Sequence, residues 1–137
     1  MARVLIVEDV QSDRVILGYV VKRTGHEVYF ASHGEQALEI YVTKGIEIVV
    51  TDLSMPKLDG LEFITLLRAL FPDTPVIAVS GMGPELLATA KHMGAFVALS
   101  KPIDPHELVE ALAQAALQTR PHPPKRTRQL KSRAMGA

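Results

Sequence analysis

Ile46-Glu47-Ile48-Val49-Val50-Thr51-Asp52 carries four consecutive β-branched residues, from Ile48 to Thr51, and stops on an acid. Apolar residues at successive positions leave neither face of a strand for water. The run therefore suits a strand covered on both sides, as in a parallel sheet. Four further runs of strand length lie along the chain, at residues 4–7, 27–31, 75–80 and 96–99.

Helical patterns alternate with these runs. Residues 12–23 place Val15, Ile16, Tyr19 and Val20 on one face, with Ser12 as N-cap and Gly25 as the stop. The spacing predicts further helices over residues 35–43, closing near Gly45, over residues 61–70, ended by Pro72, and from Pro84 to near Gly94. The last helix opens with Asp104 as cap, Pro105 at the first helical position and Glu107 three residues after the cap. Five strand–helix units in residues 1–118 argue for one doubly wound α/β domain with helices on both faces of the sheet. In such sheets sites form at the carboxyl ends of the strands.

At those ends the sequence places Glu8 and Asp9, then Asp52, then Ser80, then Lys101. Three carboxylates in one cleft repel each other unless a cation joins them. All-oxygen ligands favour a hard ion, and Mg²⁺ takes one or two carboxylates, several waters and a phosphate. The Lys101 ammonium is a point charge suited to a phosphoryl oxygen, and the Ser80 hydroxyl can donate to another. A carboxylate can serve as a covalent nucleophile. Metal and lysine together would neutralise the charge on a transferring phosphoryl group. The set reads as a phosphoryl-acceptor site.

These residues fall in five patches: Val4-Leu5-Ile6-Val7-Glu8-Asp9, Val50-Thr51-Asp52-Leu53-Ser54-Met55-Pro56-Lys57-Leu58-Asp59-Gly60, Val79-Ser80-Gly81, Gly94-Ala95 and Ser100-Lys101-Pro102. In this order and spacing, from residue 3 to about residue 117, the chain resembles the receiver domain of two-component response regulators. The resemblance implies a flavodoxin-like fold, with five parallel strands in the order 2-1-3-4-5 and five helices. It implies that Asp52 accepts a phosphoryl group from a histidine kinase or a histidine phosphotransfer protein. Asp9 would then bind Mg²⁺ directly, Glu8 mainly through water, and Ser54 through its backbone carbonyl. Ser80 would be the switch hydroxyl and Lys101 the phosphoryl contact, with a cis Lys101–Pro102 peptide. The first helix and the loop after the fifth strand would meet the histidine donor. Output would run through protein–protein contact, a homodimer included, at the face formed by the fourth helix, fifth strand and fifth helix, or through a phosphorelay. A receiver of this kind is no enzyme beyond phosphorylation and dephosphorylation of its own Asp52.

The sequence departs from the family at Ala98, where Tyr, Phe or His often stands three residues before the lysine. Neither Phe30 nor Phe96 is assigned that job. This departure lends support to a rival reading, a receiver-like scaffold that works without phosphorylation. A phosphatase forming an aspartyl-phosphate fits less well, because such enzymes commonly carry a second acid two residues after the nucleophile, where Ser54 stands. Asp59, before Gly60 and a helix, reads as a turn or cap residue. His26, His33, His92, His106 and His122 show no metal-ligand spacing and are expected at the surface. Met55 is expected to pack under its loop and Met93 in the core.

Composition sets the outer bounds. The 137 residues contain no cysteine, which excludes disulfides, thiolate catalysis and Cys-ligated zinc. No apolar run is long enough for a membrane span, and the N-terminus lacks a secretory pattern, so a cytoplasmic location is expected. Residues 1–117 hold 15 acids and 9 bases, whereas residues 118–137 hold 6 bases and no acid. The Pro- and Arg/Lys-rich segment 119–137 is expected to be disordered, and no DNA-binding output domain is expected.

Overall fold

The computed structural model describes residues 1–55 and 58–119. The chain runs β1 (Arg3–Val7), α1 (Gln11–Arg23), β2 (Glu27–Ala31), α2 (Gly34–Lys44), β3 (Ile48–Asp52), β4 (Ser54–Met55), β5 (Leu58–Asp59), α3 (Gly60–Leu70), β6 (Val76–Ser80), α4 (Pro84–His92), β7 (Val97–Ser100) and α5 (Pro105–Gln118). Five strands form one parallel sheet in the order β2-β1-β3-β6-β7. Counted along the chain within that sheet, this is the expected order 2-1-3-4-5. The antiparallel pair β4–β5, with Ser54 opposite Asp59 and Met55 opposite Leu58, carried no sequence signal at two residues a strand. The expectations for the basic segment beyond residue 119 and for the Asp59 side chain fall outside the described residues.

Side-chain alternation along the buried strands divides the core in two. Leu5, Val7, Val49, Val76 and Ala78 pack with Ala37, Tyr41 and Val42 of α2, Phe63, Ile64 and Leu67 of α3, and Ala90 of α4. Val4, Ile6, Ile48, Val50, Ile77 and Val79 pack with Leu17, Val20 and Val21 of α1 and Leu108, Ala111 and Leu112 of α5. Each fully buried Leu or Ile side chain contributes about 1.5–3 kcal/mol relative to exposure. Because β1, β3 and β6 are covered on both faces, their carboxyl ends are held rigidly from either side.

Two expectations for α1 are corrected. Ser12 is not its N-cap. The helix begins at Gln11 with Val10 in the cap position and no side-chain cap bond. Glu8 Oε2 accepts the Val10 N–H at 3.3 Å, and Arg14 N donates to Val10 O at 2.9 Å, so the first turn closes ahead of Ser12. Nor is the face bearing Val15, Ile16 and Tyr19 the core face. These residues are 62%, 52% and 61% exposed, and Leu17, Gly18, Val20 and Val21 are buried instead. Residues 15–21 carry apolar side chains or glycine at every position, so helical spacing alone admits both stripes. Gly18 selects between them, since a Cβ there would lie 2.6 Å from Phe30 Cζ of β2.

The other helix signals hold. Asp104 accepts the His106 N–H at 2.8 Å, with Pro105 opening α5. Gly45 caps α2 at φ 66°, in the left-handed region that glycine tolerates. Met55 is buried as expected, whereas Met93 only flanks the core. His26 is half-buried rather than superficial, and its Nδ1 accepts the Ala2 N–H at 2.9 Å. Among the described residues no helix is long and apolar enough to cross a membrane.

Candidate functional site

The parallel ladder continues one residue beyond three of the strands, and this places the site. Glu8 N donates to Ala31 O at 3.0 Å, Leu53 N to Val79 O at 3.0 Å, and Lys101 N to Ser80 O at 2.9 Å. The side chains that follow β1, end β3, end β6 and follow β7 are thereby fixed at one edge of the sheet.

Glu8 has no exposed surface and Asp52 only 3%. One oxygen from each of Glu8, Asp9 and Asp52 lies within 4.8 Å of the others. Lys101 Nζ donates to Glu8 Oε1 at 2.7 Å and stands 3.6 Å from Asp52 Oδ2. Asp52 Oδ1 accepts the Ser54 N–H at 3.2 Å. Ser80 is fully buried, and its Oγ accepts the Met82 N–H at 3.0 Å. The Lys101–Pro102 peptide is cis. The structure thus brings together Glu8, Asp9, Asp52 and Lys101, with Ser80 one strand over from Asp52 and paired in register with Ser100.

Electrostatics follow from the burial. Burial pushes the Glu8 carboxyl above the usual carboxylate range; the nearby Asp52 charge adds to this, while the Lys101 hydrogen bond opposes it. For Lys101, burial alone would lower the value. Hydrogen bonds to Asp13 and Glu8 and the Asp52 charge outweigh it and hold the ammonium above the usual lysine range.

One ammonium does not satisfy this many carboxylate oxygens. Asp9 Oδ1 is buried and has no hydrogen-bond partner. A buried acceptor without a donor costs about 1–3 kcal/mol, more if charged. An oxygen-only cluster with one orphaned buried oxygen fits a hard divalent cation of the Mg²⁺ type.

Two participants had no signal strong enough to be found in the sequence. Asp13 of α1 accepts from Lys101 Nζ at 2.8 Å. In the sequence it reads as an ordinary acid in a first helical turn, favourable to the helix dipole. Arg14 donates from Nη1 to the Glu8 backbone carbonyl at 2.9 Å, bracing the turn that carries Glu8 and Asp9.

Comparison with known proteins agrees with this arrangement. The response regulator receiver domain family matches residues 4–113, and the chain belongs to that family. It is similar to the chemotaxis protein CheY of Thermotoga maritima, 34% identical over 112 residues, covering 80% of this chain and 93% of that protein. It is also similar to the sensory/regulatory protein RpfC of Xanthomonas campestris, 30% identical over 123 residues. That match covers 86% of this chain but only 17% of RpfC. Among solved structures, a response regulator receiver domain protein from Clostridium thermocellum superposes with a TM-score of 0.79 at 29% identity, covering 86% of this chain and 96% of that one. The chain is a receiver domain of the two-component response regulator type.

Proposed function

We propose that the chain is a receiver that takes a phosphoryl group onto Asp52 from a histidine kinase or a histidine phosphotransfer protein. The observation that carries this reading is Lys101 Nζ, 3.6 Å from Asp52 Oδ2, beside three converging carboxylates of which Glu8 and Asp52 are buried and Asp9 holds one orphaned oxygen. Asp9 and Asp52 would hold Mg²⁺ directly, Glu8 through water and Ser54 through its backbone carbonyl. The bound ion supplies charge neutralisation for the phosphoryl oxygens and the attacking carboxylate. An oxygen of Asp52 attacks phosphorus, and the donor's bond to phosphorus breaks with its electron pair left on the donor. Lys101 donates to one phosphoryl oxygen. The Ser80 hydroxyl, whose oxygen accepts from Met82 N, donates its O–H to another.

Residues 1–118 form the working domain, and output passes by protein contact at α4, β7 and α5, a homodimer included, or by onward phosphorelay. The loose seating of α4 supports that assignment, since Ala90 is its one buried residue. The protein works in the cytoplasm and is no enzyme beyond the chemistry of its own Asp52. One observation favours the scaffold reading: Ala98 is half-buried on the edge strand β7, and no aromatic ring stands there to couple Ser80 to the surface.

Incubation with Mg²⁺ and a small phosphodonor, read by intact mass, separates the two. Wild type is expected to gain one phosphoryl group and Asp52→Asn none. An unmodified wild type would move the assignment to the scaffold.

A further inference from the structure

We propose that Asp13, in the first turn of α1, is a positioning residue that holds Lys101 back from Asp52 until a phosphoryl group arrives, and so limits how fast Asp52 is phosphorylated. The proposal rests on the reading of Asp52 as phosphoryl acceptor.

The ammonium of Lys101 has three N–H donors. Two are committed at hydrogen-bond distance, to Glu8 Oε1 at 2.7 Å and to Asp13 Oδ2 at 2.8 Å. Asp52 Oδ2, at 3.6 Å, is beyond a good hydrogen bond. The resting lysine is therefore shared between the two acids that are not the acceptor. Those two acids differ in what release costs. The Glu8 side chain has no exposed surface, so losing Lys101 would strand a buried carboxylate. The Asp13 side chain is 36% exposed and regains water when it lets go. Asp13 is the partner that can be exchanged.

Space for the exchange is present. Asp13 and Lys101 share a cleft of about 120 Å³ with Ile16, Leu17, Pro102 and Ile103. When Asp52 becomes an acyl phosphate, the acceptor's single negative charge is replaced by a phosphoryl group carrying about two. Lys101 then trades its N–H···O bond to Asp13 for one to a phosphoryl oxygen. No proton is transferred in that trade. The Oδ–P bond forms, the donor–P bond breaks, and the leaving group keeps the electron pair. An acid that served only the helix dipole would alter the stability of α1 and leave the transfer rate alone.

The test uses wild type, Asp13→Asn and Asp13→Glu, with Mg²⁺ and acetyl phosphate over a range of donor concentrations, followed by intact mass. Asp13→Asn is expected to raise the maximal phosphorylation rate about fivefold, the worth of a partly exposed ion pair. Asp13→Glu, which restores the carboxylate, returns the rate towards wild type. The ¹³C shift of the Lys101 Cε in the unphosphorylated protein moves in Asp13→Asn and stays near wild type in Asp13→Glu. An unchanged or slower maximal rate in Asp13→Asn, or a lower half-saturating donor concentration alone, overturns the proposal. So does an unchanged Lys101 signal. A wild type that takes no phosphoryl group overturns the acceptor reading instead, and the Lys101 signal still decides whether Asp13 holds the lysine.

Discussion

Lys101 Nζ sits 2.7 Å from Oε1 of Glu8, a carboxylate with no exposed surface at all. The pair is separated by 93 residues in sequence and ties the end of β7 to the end of β1 across the sheet. Its value is mostly in what its loss would leave behind. Lys101→Met would strand Glu8 beside Asp52 and Asp13 with no compensating cation. Breaking a buried pair costs about 3–5 kcal/mol, and the partial exposure of Lys101 reduces this to about 2 kcal/mol here. Urea unfolding without divalent cations should show that loss as a lower midpoint at unchanged slope. Added Mg²⁺ should recover part of it. Equal midpoints would mean that the lysine does not stabilise the cluster.

Gly60 is where the scaffold and the site share a constraint. A Cβ on Gly60 would lie 2.4 Å from Leu53 Cα and 2.8 Å from Leu53 O, both backbone atoms. Neither can swing aside as a side-chain tip could. Leu53 directly follows Asp52, so Gly60→Ala must displace the chain that carries Asp52. Overpacking of this kind costs about 1–3 kcal/mol. Gly60→Ala should therefore lose both thermal stability and affinity for Mg²⁺, measured by thermal shift with and without the ion. A variant with lower Tm and undiminished Mg²⁺ response would show that the strain relaxes away from Asp52.

The strands and the acids were legible in the sequence for one shared reason. Continuous apolar runs such as Ile48-Val49-Val50 identify a sheet covered on both faces, and the topology then assigns Glu8, Asp9, Asp52, Ser80 and Lys101 to one edge. What was not legible depends on the third dimension. Val15, Ile16 and Tyr19 satisfy helical spacing as well as Leu17, Val20 and Val21 do, and the contact between Gly18 and Phe30 decides which stripe is buried. Asp13 has no local signature, because its partner Lys101 is 88 residues away. Ser12 has the chemistry of a cap but is pre-empted by Glu8 bonding to Val10 N. Local signals therefore erred where a residue distant in sequence or a neighbouring turn competed for the same role.

His26 gives the fold a pH dependence of its own, away from the site. Its Nδ1 accepts the Ala2 N–H, which requires the unprotonated nitrogen. Burial lowers its pKa below the ordinary value, the N-terminal charge adds to that, and Glu47 opposes it. A histidine with a depressed folded value favours the fold in its neutral form. That contribution is complete above the unfolded value of about 6.5 and is lost as pH falls through it and then through the folded value. His26→Gln keeps an acceptor oxygen but does not titrate. Between about pH 7.5 and about pH 5.5 wild type should lose more Tm than His26→Gln does. Parallel losses in the two proteins would remove His26 from the account.

The orphaned Oδ1 of Asp9 makes the sharpest distinction between a metal site and a mere acidic cluster. It is buried and accepts nothing, and one carboxylate oxygen of Asp9 lies within 4.8 Å of ligand atoms from Glu8 and Asp52. If the cluster holds Mg²⁺, the ion binds the folded state alone and stabilises it by mass action. At about 100 times the dissociation constant this amounts to about 2.7 kcal/mol. Asp9→Asn swaps a charged ligand oxygen for an amide and removes one of the three converging charges. Without metal the variant should be at least as stable as wild type, because like charges no longer crowd. With metal the order should reverse. A variant binding about a hundredfold more weakly would keep only about 0.4 kcal/mol of the gain at the same concentration. The crossing of the two Tm curves as Mg²⁺ is added is the expected signature. Curves that stay parallel would show that Asp9 is no ligand, and that its unpaired oxygen is a cost the fold carries for some other reason.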